Sequence, residues 1–178
     1  SADNVARLMD GAKADLLLTD PPYGIKRDKG FGGGSRSFGG GSSKPIKVRT
    51  YSDDWDSCRP SVETFDLIIK EATISLIFGG NYFADILPMS THWLVWDKEN
   101  TMPTFGDCEL VWTNSDRKSV SIYRHTYNGL IGKERERHHP TQKPVELFVD
   151  LLNDYSTTDS IILDPFLGSG TTMIAAEQ

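Results

Sequence analysis

The segment LLLTDPPYGIK (residues 16–26) places an acid, two prolines and an aromatic ring directly after an apolar run. Pro21 and Pro22 have a fixed φ and no backbone N–H, so neither a strand nor a helix continues through them. Asp20 precedes a proline and is therefore restricted to extended geometry. The run thus predicts a strand that ends abruptly and brings a carboxylate, a carbonyl and the ring of Tyr23 to one place. Two hydrogen-bond acceptors beside an aromatic surface are the chemistry available there.

A second apolar run, IILDPFLGSGTT (residues 161–172), also ends in Asp-Pro and continues through a glycine loop into a helix. Glycines let a backbone approach a ligand closely, and the start of the helix offers free N–H groups. A Walker phosphate loop requires Lys after Gly170, where Thr171 stands, and GSGTTM lacks the last glycine of a dinucleotide fingerprint. The loop therefore indicates a nucleoside-like ligand that needs no phosphate. A tight turn that only packs a helix on a strand is the alternative.

Strand and helix patterns alternate along the chain. Apolar runs predict strands and amphipathic segments predict helices. The strands are 14–20, 75–80, 91–97 and 160–164, and the main helices are 4–10, 60–75 and 144–156. CELVWTN and SVSIYRHTY (119–127) predict two more strands, interpreted as a hairpin. The alternation is typical of an α/β protein with an open, mostly parallel sheet, in which ligands bind beyond the carboxyl ends of the strands.

Composition and charge limit the class of protein. The 178 residues are expected to form a single domain, 1–178, of ordinary soluble composition. No apolar run reaches the roughly 20 residues that span a bilayer, and the first residues lack a signal-peptide pattern. Cys58 and Cys108 lie far apart with no CxxC, which favours free thiols and a cytoplasmic location. The net charge of −6 argues against binding to nucleic acid, although basic residues cluster at 44–49, 117–125 and 132–139.

Several other segments leave alternatives open. Residues 30–43 are a glycine-rich stretch that is either a linker or a flap beside the DPPY tip. FGGNYF (78–83) ends a strand and could line a pocket or simply pack. Residues 98–138 are polar and irregular and form a candidate DNA-facing region. His138 and His139 look like a metal pair, but no Cys or acid cluster has ligand spacing, so no metal is expected.

Three motifs in a fixed order resemble a known family. DPPYG (20–24), HPTQKPVEL (139–147) and DPFLGSGTT (164–172) are similar to motifs of the S-adenosylmethionine-dependent DNA amino methyltransferases, which form N6-methyladenine or N4-methylcytosine. The order, with the catalytic motif first, resembles that of the β class. The resemblance implies a circularly permuted, Rossmann-like methyltransferase sheet. Because the family fold continues with a strand bearing an acid for the cofactor ribose, the chain is expected to be incomplete at its C-terminus.

The resemblance also implies a role for each motif residue. The catalytic motif is Asp20, Pro21, Pro22 and Tyr23, with the Asp20 side chain and the Pro21 carbonyl accepting the N–H protons of the target amine. Tyr23 would stack on a base flipped out of the duplex. S-adenosylmethionine would be bound by residues of the other two motifs, with Lys143 pairing with the methionine carboxylate. These residues are Thr141, Gln142, Lys143, Asp164, Phe166, Gly168, Ser169, Gly170, Thr171 and Thr172.

The substrate follows from the resemblance in less detail. Asp at the head of DPPY favours adenine N6, since Ser is commoner there in the cytosine-N4 group. The alternatives are a cytosine-N4 methyltransferase, an RNA or protein N-methyltransferase, and a truncated, non-catalytic module that binds nucleic acid or cofactor. HPTQKP favours DNA as the partner. A large target-recognition domain does not fit easily between the motifs, so sequence choice is either loose or supplied by a homodimer.

Overall fold

A six-stranded sheet forms the centre of the molecule, in the order β5-β3-β4-β2-β1-β6. The computed structural model describes residues 2–25, 58–100, 106–126 and 143–178. The strands are β1 (Ala14–Thr19), β2 (Ala72–Phe78), β3 (Trp93–Asp97), β4 (Cys108–Thr113), β5 (Ser121–Arg124) and β6 (Ile162–Leu163). The helices are α1 (Ala2–Met9), α2 (Val62–Lys70), α3 (Val145–Tyr155) and α4 (Thr171–Ala176), with a 3-10 turn at Gly80–Phe83.

The sheet is mostly parallel, as the sequence predicted. β1 pairs in parallel with β2 on one side and with β6 on the other, and β3 pairs in parallel with β5. β4 runs the opposite way and is antiparallel to both β2 and β3. The predicted hairpin of β4 with β5 is wrong. β2 and β3 occupy both edges of β4, so β5 adds beside β3 instead.

Alternating side chains give the sheet two buried faces. Leu16 and Leu18 of β1 point to the face covered by α3, where Phe148 and Leu151 complete one core cluster. The intervening residues point to the opposite face, where the 3-10 turn lies against Trp112. The ring of Phe83 in that turn lies 4.8 Å from the ring of Phe65 in α2. Because β1 is buried on both faces, its sequence is a continuous apolar run rather than an alternating one.

The second predicted helix ends earlier than its pattern suggested. Ser61 caps α2 as expected, because its side chain accepts a hydrogen bond from the Thr64 backbone N–H at 3.3 Å. The helix stops at Lys70 rather than continuing to 75. Ala72 instead begins β2 and pairs with Ala14 of β1. Pairing between distant strands outweighs the local helical pattern of this segment.

The chain divides into two compact units. One consists of Ser1–Pro21 and Pro60–Gln178 and contains the sheet and its helices. The other is Pro22–Arg59, of which the structure describes 22–25 and 58–59. Inside this second unit Gly24 has φ +73 and approaches the backbone of Arg59. Across the described part of the chain, no helix is long and apolar enough to cross a membrane.

Candidate active site

The predicted catalytic and glycine-loop motifs meet at one edge of the sheet. β1 and β6 are parallel neighbours, with Leu17 opposite Leu163, so Asp20 and Asp164 follow directly at the same edge. The carboxyl end of β3 also lies there. Because β4 runs the other way, it is the first residues of β4, including Glu109, that reach this edge. Polar groups from four strands therefore converge at the place where open α/β sheets bind their ligands.

Asp164 holds the glycine loop to the end of β1. Its Oδ1 accepts a hydrogen bond from Thr19 Oγ1 at 2.6 Å and another from the Phe166 backbone N–H at 3.1 Å. Its Oδ2 accepts from Thr172 Oγ1 at 2.5 Å. Burial raises the pKa of Asp164 above its ordinary value, against the lowering effect of these donors, and the nearby charge of Asp20 raises it further. The two predicted aspartates are thus within electrostatic reach of each other.

The loop between Asp164 and α4 needs its glycines for backbone geometry. Gly168 and Gly170 have φ +54 and +81, a left-handed conformation that other residues adopt only with strain. Ser169 and Thr171 share a hydrogen bond between their side-chain oxygens at 3.1 Å. Thr171 and Thr172 are buried, whereas Gly168 is exposed. The loop therefore offers backbone rather than threonine hydroxyls to a ligand.

Lys143 lies between two carboxylates. Its Nζ is 2.5 Å from Asp20 Oδ2 and 3.4 Å from Glu109 Oε2, and it sits 5.1 Å from the centre of the Phe78 ring. Burial, the largest single influence, lowers the pKa of Lys143, but Asp20 and Glu109 together outweigh it and the net pKa is raised. The lysine predicted for the cofactor carboxylate therefore contacts the predicted catalytic acid.

For the remaining predicted residues the structure gives either a degree of burial alone or no description. Pro21 is buried, and Pro22 and Tyr23 are half-buried at the start of the second unit. Thr141 and Gln142 lie outside the described residues, as do His138, His139 and the glycine-rich stretch 30–43. Within the described residues no group of three or more His, Cys, Asp and Glu side chains could hold a metal ion.

FGGNYF contributes mainly to packing. A Cβ on Gly80 would lie 2.7 Å from Trp112 Cβ and 2.8 Å from the Trp93 ring, so only glycine fits at this close approach. Phe83 is fully buried in the core, while Tyr82 is half-buried and Asn81 is exposed. Of the two interpretations of this segment, plain packing accounts for Gly80 and Phe83.

Sequence reasoning missed Glu109 and Thr19. Glu109 shares one face of β4 with Val111, which belongs to the core under α3. Its side chain is only 10% exposed. An acid on the core-facing side of a strand is unusual unless it has a partner. The position of Glu109 in the apolar pattern of β4 was therefore the signal that could have identified it. Nothing in the sequence marked Thr19 as a site residue, because threonine is common in strands.

A family model described as DNA methylase, of the N6/N4 methyltransferase type, matches residues 85–178, more than half of the chain. The chain belongs to the N6/N4 DNA methylase family. The resemblance drawn from its motifs is confirmed at this level, which covers methylation of adenine N6 or cytosine N4. The match includes the HPTQKPVEL and DPFLGSGTT motifs and begins after the DPPY motif, which it does not cover.

Individual relatives agree with this membership. YubD of Escherichia coli (strain K12), named as a methylase, is 26% identical over 190 residues, covering 94% of this chain and 73% of YubD. The Type II methyltransferase M2.MboI of Moraxella bovis is 33% identical over 97 residues, covering 53% of this chain and 35% of that protein. The chain thus spans about a third of M2.MboI.

Solved structures show the same fold. The crystal structure of the M1.HpyAVI-SAM complex has a TM-score of 0.56 and 19% identity, covering 99% of this chain and 84% of that one. A second crystal structure of M1.HpyAVI has a TM-score of 0.52 and 17% identity, covering 99% of this chain and 82% of that one. This N6/N4 DNA methylase therefore has the architecture of a methyltransferase across nearly its whole length.

Proposed function

We propose that this N6/N4 DNA methylase transfers a methyl group from S-adenosylmethionine to the exocyclic N6 of a flipped-out adenine in DNA. One observation carries the proposal. Asp20 follows β1 while the glycine loop follows the neighbouring β6, and Thr19 Oγ1 donates to Asp164 Oδ1 at 2.6 Å across that junction. A catalytic acid and a nucleoside-binding loop are thereby held side by side at the carboxyl edge of the sheet.

The acceptors at the end of β1 suit an amine that must lose a proton. The lone pair of the adenine amine is delocalised into the ring, so the amine becomes a nucleophile only as it rehybridises. The Asp20 carboxylate, 24% exposed, and the carbonyl of Pro21 would accept its N–H groups during that change. The catalysis required is mainly proximity, alignment with the methyl group and electrostatic support.

Tyr23 is proposed to stack on the target base. A base inside a duplex cannot reach a pocket at a strand end, so it must be flipped out, and an aromatic ring offsets part of the lost stacking. Tyr23 is half-buried and follows Asp20 by three positions in the chain.

The loop from Asp164 to Thr172 fits a nucleoside cofactor. Its left-handed glycines turn the backbone outward at the strand end, and Leu167 and Gly168 are exposed there. When bound, S-adenosylmethionine supplies a methyl group on a sulfonium, which is the electrophile. Phe166, Gly168, Ser169 and Gly170 are proposed to line its site, with Asp164, Thr171 and Thr172 bracing the loop. Thr141 and Gln142 stay predictions for the methionine end.

The finer identity rests on motif residues and relatives. Asp at the head of DPPY supports adenine over cytosine, and the order of the motifs supports the β class with a permuted sheet. A role in restriction and modification is proposed because M2.MboI is a Type II methyltransferase. With DNA as its substrate the methylase would act in the cytoplasm. A homodimer remains a prediction.

Nucleoside mass spectrometry tests the proposal. DNA amplified in vitro, and hence unmethylated, is incubated with the chain and S-adenosylmethionine, digested and scanned for N6-methyladenine and N4-methylcytosine. Asp20→Ala is the test variant. Asp66→Ala is the matched control, because Asp66 is an exposed acid on α2. Circular dichroism confirms that both variants fold.

The expected result is N6-methyladenine with the parent and the control and none with Asp20→Ala. N4-methylcytosine instead would keep the mechanism and overturn the choice of base. Binding of S-adenosylmethionine without any methylated base would refute DNA methylation by this chain and support either a module that only binds or an RNA or protein substrate.

A further inference from the structure

Four side chains of alternating charge cross the carboxyl edge of the sheet. Lys98, after β3, contacts Glu109 of β4 with 3.4 Å between Nζ and Oε1. Glu109 Oε2 is 3.4 Å from Lys143 Nζ, which in turn is 2.5 Å from Asp20 Oδ2. The two lysines and two acids balance in charge. We call this set the charge chain.

Three of the four side chains in the charge chain are largely shielded from water, and the fourth, Asp20, is 24% exposed. The side chains of Lys143 and Glu109 are 7% and 10% exposed, and that of Lys98 is 13% exposed. Each lysine also lies over an aromatic ring, Lys98 at 4.8 Å from Trp96 and Lys143 at 5.1 Å from Phe78. Buried charges of this kind are stable only when they are paired, and removing one partner leaves an uncompensated charge.

This arrangement gives Lys143 a different task from the one expected from its motif. The ammonium has three N–H donors and already contacts Asp20 and Glu109, so a cofactor carboxylate would have to share it with two other acids inside a low-dielectric site. Lys143 lies over the ring of Phe78. That ring is itself stacked on Phe148, with 5.2 Å between the ring centres and 3° between the planes, so its position is fixed by packing. The lysine is thus packed and paired toward Asp20.

We infer that Lys143 is a positioning residue that orients the catalytic carboxylate of Asp20, and that Glu109 is a second positioning residue that keeps Lys143 there. The inference rests on the proposed function of Asp20. An ammonium held at a fixed point restricts rotation of the carboxylate it contacts, so Asp20 meets the target amine in one orientation. Misplacement of a catalytic group by about 1 Å can lower a rate by about 100-fold.

Steady-state methyl transfer at varied S-adenosylmethionine concentration tests the inference. Glu109→Gln removes the charge with little change of shape, and Glu109→Asp keeps the charge at shorter reach. Lys98→Met combined with Glu109→Gln keeps the charge balance, so this variant reports on Glu109 even if the single variant does not fold. Glu63→Gln is the matched control, because it makes the same substitution at an exposed position of α2.

We expect Glu109→Gln and the charge-balanced variant to lower kcat by about tenfold or more, with KM for S-adenosylmethionine within about twofold of the parent. Glu109→Asp should recover part of the lost kcat, and Glu63→Gln should behave as the parent. Parental kcat in both Glu109→Gln variants would overturn the inference. A raised KM with parental kcat would also overturn it, because Lys143 would then serve the cofactor.

If the parent chain makes no methylated base, the proposed function is refuted before any variant is compared. The contact between Glu109 and Lys143 is then tested separately, by measuring the unfolding equilibrium. In a double-mutant cycle of Glu109→Gln and Lys143→Met, the effects on the unfolding equilibrium constant should depart from additivity by about fivefold or more. Additive effects would overturn the inference that Glu109 holds Lys143 in position.

Discussion

Thr19 Oγ1 donates a hydrogen bond to Asp164 Oδ1 at 2.6 Å, joining residues 145 positions apart. The contact links the strand that ends in the proposed catalytic motif to the loop proposed for the cofactor. Asp164 also accepts from Thr172, so one carboxylate braces β1, the loop and α4 together. This carboxylate therefore adds a side-chain link to the β1–β6 pairing that brings the two motifs to the same edge.

Thr19→Val should therefore weaken both stability and cofactor binding. Valine keeps the shape but removes a donor to a buried carboxylate, and we expect a loss of about 1–3 kcal/mol in the free energy of unfolding. Urea unfolding measures the loss. Thr158→Val, in an exposed turn, is the control and should be neutral. Parental stability of Thr19→Val would show that the hydrogen bond does not brace the motifs.

The pKa of Asp164 predicts how stability changes with pH. Burial raises this pKa above the ordinary value of 3.8, with the charge of Asp20 adding to the rise. The folded state therefore holds the proton more tightly than the unfolded chain does. The stabilising contribution is complete below pH 3.8 and is lost as the pH rises through the folded pKa.

Asp164→Asn removes this titration. Urea unfolding at several pH values from about 4 to 7 should show the Asn variant gaining stability relative to the parent as the pH rises. Thr158→Val, in an exposed turn, changes no titrating group and should keep a constant difference from the parent. A parent that gains stability over Asp164→Asn with rising pH would contradict the predicted direction.

Gly170 and Gly11 form a natural pair for separating strain from function. They have φ +81 and +80, and a Cβ at either would meet nothing within 4 Å. Alanine at each should therefore cost about 1–2 kcal/mol through backbone strain alone. Gly11 precedes β1 and lies at the opposite end of that strand from Asp20.

Only the Gly170→Ala variant should affect the cofactor. Isothermal titration calorimetry with S-adenosylmethionine is expected to show about tenfold weaker binding, equivalent to ~1.4 kcal/mol, with Gly11→Ala at the parental affinity. Equal affinities in the two variants would mean that the loop does not contact the cofactor.

Gly80→Ala should destabilise the protein by overpacking. The added methyl would meet Cβ of the buried Trp112 at 2.7 Å and the ring of the half-buried Trp93 at 2.8 Å. We expect a loss of about 1–3 kcal/mol by thermal or urea unfolding. Affinity for S-adenosylmethionine, corrected for the folded fraction, should stay parental. A large loss of affinity at full folding would instead place Gly80 in the ligand site.

Local patterns predicted what depends on local structure. The apolar run of β1 is a strand buried on both faces, and Phe148, Leu151, Leu152 and Tyr155 do line the buried side of α3. The fold class followed from the alternation of such elements. The family followed from three short motifs, because each motif keeps its residues close together along the chain.

Errors and omissions arose where distant segments compete. The helix predicted over 60–75 ends at Lys70, because Ala72 pairs with Ala14 of β1. The predicted hairpin failed because β3 lies between β4 and β5 in the sheet. No local pattern records which strand edge is already occupied, so pairing of this kind is invisible to periodicity.

The amino-acid pattern was sufficient for the fold class and the family. It was not sufficient for the partner of Lys143, which is 123 positions from Asp20 in the chain. Nor did it reveal Glu109, which reaches this edge because β4 runs antiparallel to its neighbours. Motif identity is a property of neighbouring residues, whereas the charge balance of a buried site depends on which strands meet and in which direction they run.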